Sequence, residues 1–117
     1  MWIAIAALSG ALGVVLGAFG AHGLRDSATP EQITSWNTAT HYHLLHSVVL
    51  LALALFERAV ERTIHLQAGL FLAGIVLFSG SIYLLLLTEQ KWLGPVTPIG
   101  GLALIAGWLS LLLLLRD

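Results

Sequence analysis

Three of the chain's five histidines lie in one run, Trp36-Asn-Thr-Ala-Thr-His-Tyr-His-Leu-Leu-His-Ser47. Imidazole donates and accepts hydrogen bonds, binds metal ions and titrates near neutrality, so this run holds the most versatile chemistry available here. At 100° per residue, Trp36, Ala39, Thr40, His43, His46, Ser47 and Leu50 share one helical face, with His41 nearly opposite. A second polar group, Phe78-Ser-Gly-Ser-Ile-Tyr83, places the hydroxyls of Ser79, Ser81 and Tyr83 within five residues. His22 and Thr97 complete the set.

Three chemistries suit such a set, and each lacks a part. Imidazoles at a spacing of three suit zinc, copper, iron or nickel. Catalytic zinc takes three protein ligands, however, and no Asp, Glu or Cys stands in the apolar runs to complete a site. Proton relay by His43 and His46 lacks the intramembrane carboxylate that usually accompanies it. Nucleophilic catalysis lacks an acid to orient a histidine, and no Gly-x-Ser-x-Gly elbow is present. No metal, no cofactor and no enzymatic activity are therefore expected.

The elements that must position these residues follow from composition. Of 117 residues, 58% are hydrophobic and only 9% charged, far more apolar surface than a soluble domain of this size needs. Roughly 20 apolar residues span a bilayer as a helix. The chain divides into four such runs, at about 2–21, 36–56, 64–88 and 98–115, within a single transmembrane domain covering 1–117. A soluble four-helix bundle would carry a polar stripe on every helix, and these runs do not. The expected fold is all-α, an integral membrane four-helix bundle with short loops. A net charge of −1 gives no footprint for nucleic acid, and the absence of cysteine excludes disulfides and thiolate chemistry. The first run lacks a preceding Lys or Arg and is longer than a signal core, so it reads as a retained span.

Span one carries Gly10, Gly13, Gly17 and Gly20 on one face, and small residues let helices approach closely in lipid. They predict a packing face against another helix or a dimer seam. Gly74 and Gly80 in span three, and Gly100 and Gly101 in span four, predict similar close approach. Thr29-Pro30-Glu31 reads as a helix start, with Thr29 capping and Pro30 in the first position. It predicts a short interfacial helix before span two. Trp2, Trp36 and Trp92 are placed as interfacial anchors.

Four antiparallel spans bring the end of one, the start of two, the end of three and the start of four to one side, here side B. At 1.5 Å per residue His43 and Ser81 lie about 10 Å deep, and His46 about 15 Å. His22, Thr40, Ser47, Ser79, Tyr83 and Thr97 belong to the same half, while the half toward side A reads as almost wholly apolar. Two arrangements fit this asymmetry: a water-accessible pocket lined by His, Ser and Tyr, or a hydrogen-bonded polar core that holds the bundle together. Arg58, Arg62 and Arg116 lie on side A, against Arg25 and Lys91 on side B. Lys and Arg favour the cytoplasmic side, so both termini are expected there.

Several motifs in order resemble one known family: Gly17-Ala-Phe-Gly-Ala-His-Gly-Leu24, Thr38-Ala39, Tyr42-His43, His46, Phe78-Ser-Gly-Ser-Ile-Tyr83, Thr97-Pro-Ile-Gly-Gly101 and Gly107-Trp108. Together they look like DUF423, small four-span membrane proteins related to the eukaryotic transmembrane protein 256. The resemblance covers nearly the whole chain. It implies a protein of the bacterial inner membrane and no established activity. Its motifs fall mainly in the side B half. The expected function is that of a non-enzymatic accessory or assembly protein, packing through its glycine-rich first helix as a homo-oligomer or in a larger membrane complex. The alternative is a small transporter or channel for a proton, an ion or a small molecule, using the polar half.

Overall fold

The computed structural model describes residues 1–116; Asp117 lies outside the described residues. Helix α1 covers Trp2–His22 and α2 covers Pro30–Val60. Helix α3, His65–Gly74, runs through a widened π segment, Ile75–Ser79, into α4, Gly80–Thr88. A short 3₁₀ turn, Lys91–Leu93, leads to α5, Val96–Ser110, which tightens to 3₁₀ geometry over Leu111–Leu115. No strand occurs among the described residues. These segments form four rods, each long and apolar enough to cross a membrane.

The helix ends have local causes. Thr29 accepts from the Gln32 backbone N–H at 3.2 Å, and the Gln32 side chain accepts from the Thr29 N–H at 2.9 Å, forming a capping box. With no Gly or Pro after Pro30, nothing breaks the helix before Trp36. The separate interfacial helix expected there is therefore the first turn and a half of α2 itself. At 31 residues α2 is about 46 Å long, well beyond a hydrocarbon core of about 30 Å. Its charged ends, Glu31 and Glu57–Arg58, project past the apolar zone. Helices α2 and α4 stop at Glu61 and Glu89, with φ of 53° and 58°.

Helix α1 packs on α2, α2 on α3 and α4, and α5 on the third rod. One core cluster, in the side A half, gathers Leu50, Ile64, Phe71 and Leu104. The second, in the side B half, gathers Trp36, Ala39, Ile82 and Tyr83. The exterior is apolar, with Leu8 72%, Leu102 66% and Leu112 61% exposed. In water such a surface would drive association, whereas in lipid it is the matching solvent. The chain is an all-helical, multi-pass membrane protein.

Candidate functional site

Helix α2 supplies the centre of the polar half. His43 is buried, and its Nδ1 lies 2.9 Å from the Tyr83 hydroxyl on α4. One turn on, Ser47 donates to the His43 carbonyl at 2.8 Å, which occupies its proton. The 2.6 Å contact between the hydroxyls of Ser9 and Ser47 therefore has Ser9 as donor, tying α1 to α2. Ser79 donates to the Ala39 carbonyl at 2.7 Å, tying the third rod to α2. Ser81 donates to Phe78 O at 2.9 Å, so Thr97 donates across the 2.5 Å contact with Ser81. That bond links α4 to α5.

His46 turns toward a different helix. The indole N–H of Trp108, on α5, donates to His46 Nε2 at 3.1 Å. An accepting Nε2 leaves the proton on Nδ1, which donates to the Tyr42 carbonyl at 2.7 Å. The two bonds together select one neutral tautomer. His43 and His46, although three residues apart on one face, are thus claimed by separate partners. Among the described residues no three His, Asp or Glu side chains lie close enough to share a metal ion.

The remaining residues expected in the polar half divide. Thr40 is buried but bonds only its own helix, through Asn37 O at 3.0 Å. His22 is exposed at the end of α1 and makes none of the bonds of this cluster. The bonds just described pair residues across rods, and His22 stands apart from them. Among the described residues every fully buried side-chain nitrogen or oxygen has a hydrogen-bond partner.

The glycines also divide. A Cβ at Gly13 would lie 2.7 Å from Leu44 Cδ2, and one at Gly20 would run into the Trp36 indole. Gly20 thereby lets the Trp36 N–H reach the Leu16 carbonyl, at 2.8 Å. A Cβ at Gly100 would meet the Phe78 backbone, where the π segment bulges toward α5. Gly10, Gly17 and Gly80 meet nothing within 4 Å, and Gly101 only Phe78 Cδ2 at 3.9 Å. Of the seven glycines expected at packing positions, Gly13, Gly20 and Gly100 press against a neighbouring rod within this chain. Gly74, also expected to pack closely, lies against Leu104, and Gly107, against Phe71, joins them.

Two tryptophans expected at the interface are buried instead. Trp36 is fully enclosed, its ring 4.8 Å from that of Tyr83. Trp2 is 8% exposed and donates to His65 Nδ1 at 2.9 Å. Only Trp92, 66% exposed, has the exposure of an anchor. The side A half is also less apolar than it reads. Gln67 is buried and donates to the Ser110 carbonyl at 3.2 Å, and Arg62 donates to Leu114 O and Leu113 O at 2.7 and 3.1 Å. A lone amide inside an apolar run was the available signal for Gln67. No local pattern pairs Arg62 with residues fifty positions away.

A groove of about 840 Å³ opens between α1 and the third rod. Leu8, Leu12, Leu16, Leu84 and Leu87 line it, together with Gly80, His43 and Tyr83.

The model of the family described as "Protein of unknown function (DUF423)" matches residues 16–101, most of the chain and all of the polar cluster except Ser9 and Trp108. The chain belongs to the DUF423 family. Relatives of this DUF423 protein are named UPF0382 membrane proteins. One, from Staphylococcus epidermidis, is 40% identical over 113 residues, covering 97% of this chain and 93% of the relative. Another, from Staphylococcus aureus strain bovine RF122, is 38% identical with the same coverage. YwdK of Bacillus subtilis is 37% identical over 113 residues, covering 95% of this chain and 92% of its own. No solved structure matches this DUF423 chain.

Proposed function

We propose that this DUF423 protein is a non-enzymatic component of a bacterial inner membrane, an accessory or assembly protein whose partner contacts lie within the bilayer. What supports it is the use of the polar groups. His43, His46, Ser9, Ser47, Ser79 and Ser81 are each engaged by a neighbouring rod or by the helix backbone. A catalytic or conducting site holds polar groups toward a substrate or a water path, whereas these bonds are directed at other helices. Gly10 and Gly17 face open space on α1, leaving room for close approach by a helix of a second copy or of another subunit. The excess of Arg58, Arg62 and Arg116 over Arg25 and Lys91 supports cytoplasmic termini.

Reconstitution tests this reading. Purified protein in liposomes loaded with a pH-sensitive dye is expected to pass no more protons than protein-free vesicles. In membranes the tagged full chain is expected to migrate on native gels as an assembly larger than one copy, reduced in size by Gly17→Leu. Proton or ion flux above the protein-free rate, abolished by His43→Ala, would replace the accessory role with transport.

A further inference from the structure

We infer that Trp2 and His65 form an acid-sensitive latch on side A: neutral His65 holds the Trp2 indole inside the bundle, and protonation of His65 releases it to the membrane interface. This goes beyond the accessory role and does not depend on it.

The bond itself sets the charge state. The Trp2 indole N–H, a donor only, reaches His65 Nδ1 at 2.9 Å. Nδ1 is therefore the accepting nitrogen, and an imidazole with an accepting nitrogen is neutral. An imidazolium carries a proton on both nitrogens and has nothing left to accept with. Histidine is also the side chain whose ordinary charge change falls between about pH 5 and pH 8. The bond joins the first residue of α1 to the first residue of α3, so it ties two rods at their side A ends.

Burial makes the two partners unequal. His65 is exposed at its rod end, so protons from the side A solution reach it. Trp2 is buried and belongs to the core cluster that holds Leu50, Ala54 and Ile64. Once His65 is charged, the indole N–H is left without an acceptor among apolar side chains, which is unfavourable. The headgroup layer offers it acceptors and is where indoles concentrate in membrane proteins. A cleft of about 500 Å³ beside the ring leads there. Trp2, Ile3, Ala4 and Ala54 line it, with Glu57 and Arg58, which project past the apolar zone. The other indole–imidazole pair, Trp108 with His46, has no such outlet: His46 is buried, and both of its ring nitrogens are engaged.

Other ionisable groups stand at this end of the bundle. They are the α-amino group of Met1 on α1, Glu57 and Arg58 on α2, Glu61 and Arg62 in the loop, and Arg116 after the last rod. Arg62 is turned to the carbonyls of Leu113 and Leu114. Glu57 and Glu61 favour the imidazolium and the cations oppose it, so both signs enter the balance and the variants must separate them.

The full chain, labelled with 5-fluorotryptophan in nanodiscs, is followed by ¹⁹F NMR from about pH 8 to about pH 5. Trp2→Phe assigns the Trp2 signal. In the wild type this signal is expected to move with the midpoint of the His65 ring, and to be broadened by a water-soluble gadolinium chelate only at the acid end. His65→Gln supplies a carbonyl acceptor that does not titrate, and is expected to hold the signal in place and unbroadened throughout. Glu57→Gln and Glu61→Gln are expected to keep the wild-type response. Circular dichroism at each pH checks that the helices persist. A Trp2 signal that stays fixed while His65 titrates would overturn the latch. So would a shift without gadolinium broadening, which would show that the charged pair stays packed. Both outcomes are read from the wild type alone, so they decide even if a variant does not fold. A pH response that survives in His65→Gln would overturn it as well, by assigning the response to another group.

Discussion

Gly100 and Gly101 are adjacent and chemically identical, yet only Gly100 is pressed against the backbone of the third rod. A methyl group at Gly100 would run into the Phe78 backbone, which cannot swing aside as a side chain can. Overpacking of this kind costs about 1–3 kcal/mol and more where backbone must move. Gly100→Ala is expected to lose about 3 kcal/mol or to fail to fold in detergent. Gly101→Ala is expected to hold or raise the melting temperature, since alanine favours a helix interior by about 1 kcal/mol. Thermal melts of the two proteins side by side decide it. The bond between Trp108 and His46 makes a second residue-level prediction. ¹⁵N spectra of His46 at neutral pH are expected to show the proton on Nδ1. Trp108→Phe should remove that preference and cost about 0.6 kcal/mol, the average for hydrogen bonds between membrane helices, and at most about 1.7 kcal/mol. A His46 spectrum unaffected by the substitution would mean that Trp108 does not reach the ring.

At the scale of the elements, the rods are held by their ends as much as by their sides. The C-terminal turn of the last rod exposes carbonyls with no helical partner. Arg62, in the loop after α2, donates to the carbonyl of Leu114 and to that of Leu113, which also accepts the Arg116 N–H at 3.4 Å. Its charge also suits the negative end of the helix dipole. Arg62→Ala is expected to destabilise by about 1–2 kcal/mol, and Arg62→Lys to restore only part of this because one ammonium cannot match the two-pronged guanidinium. Denaturation in mixed micelles measures both. Helices α2 and α4 both end on a glutamate in left-handed geometry, which disfavours any residue with a Cβ. Glu89→Gly is expected to stabilise by up to about 1 kcal/mol, and a loss of stability there would show that the Glu89 side chain contributes contacts of its own.

At the scale of the whole molecule, polar and apolar are reversed relative to a soluble protein. Leu8, Leu102 and Leu112 face outward, whereas Ser9, His43, His46 and Ser79 are buried and bonded to neighbouring rods. Helix α2 is the hub of this arrangement, since it bonds to α1 through Ser47, to the third rod through His43 and Ala39, and to α5 through His46. Four crossings place both termini on one side, together with the Arg62 and His65 loop. Fusions of green fluorescent protein and alkaline phosphatase to the C-terminus read which side that is. Fluorescence without phosphatase activity is the expected result, and the reverse would show that a margin of three charges to two does not set the orientation.

The helical, membrane-spanning character was legible from the sequence, because lipid admits only segments that satisfy their own backbone and a run of some twenty apolar residues leaves little choice. The cap at Thr29 was legible too, since capping is a local hydrogen-bond requirement that a few neighbouring residues meet. The face shared by Ala39, His43, His46 and Ser47 followed from helical geometry alone, and the structure buries all four. What each side chain meets across the bundle was not legible. Gly13 and Gly17 look alike in the chain, but only Gly13 lies under Leu44. His43 and His46 share a face, but Tyr83 and Trp108 come from different rods. His22 stands beside the glycines of span one yet remains exposed. Such pairings depend on how each rod is rotated about its axis and on the bulge at Ile75–Ser79, which shifts the register of everything after it. Those rotations are set by contacts between distant residues, so the tertiary structure alone decided them.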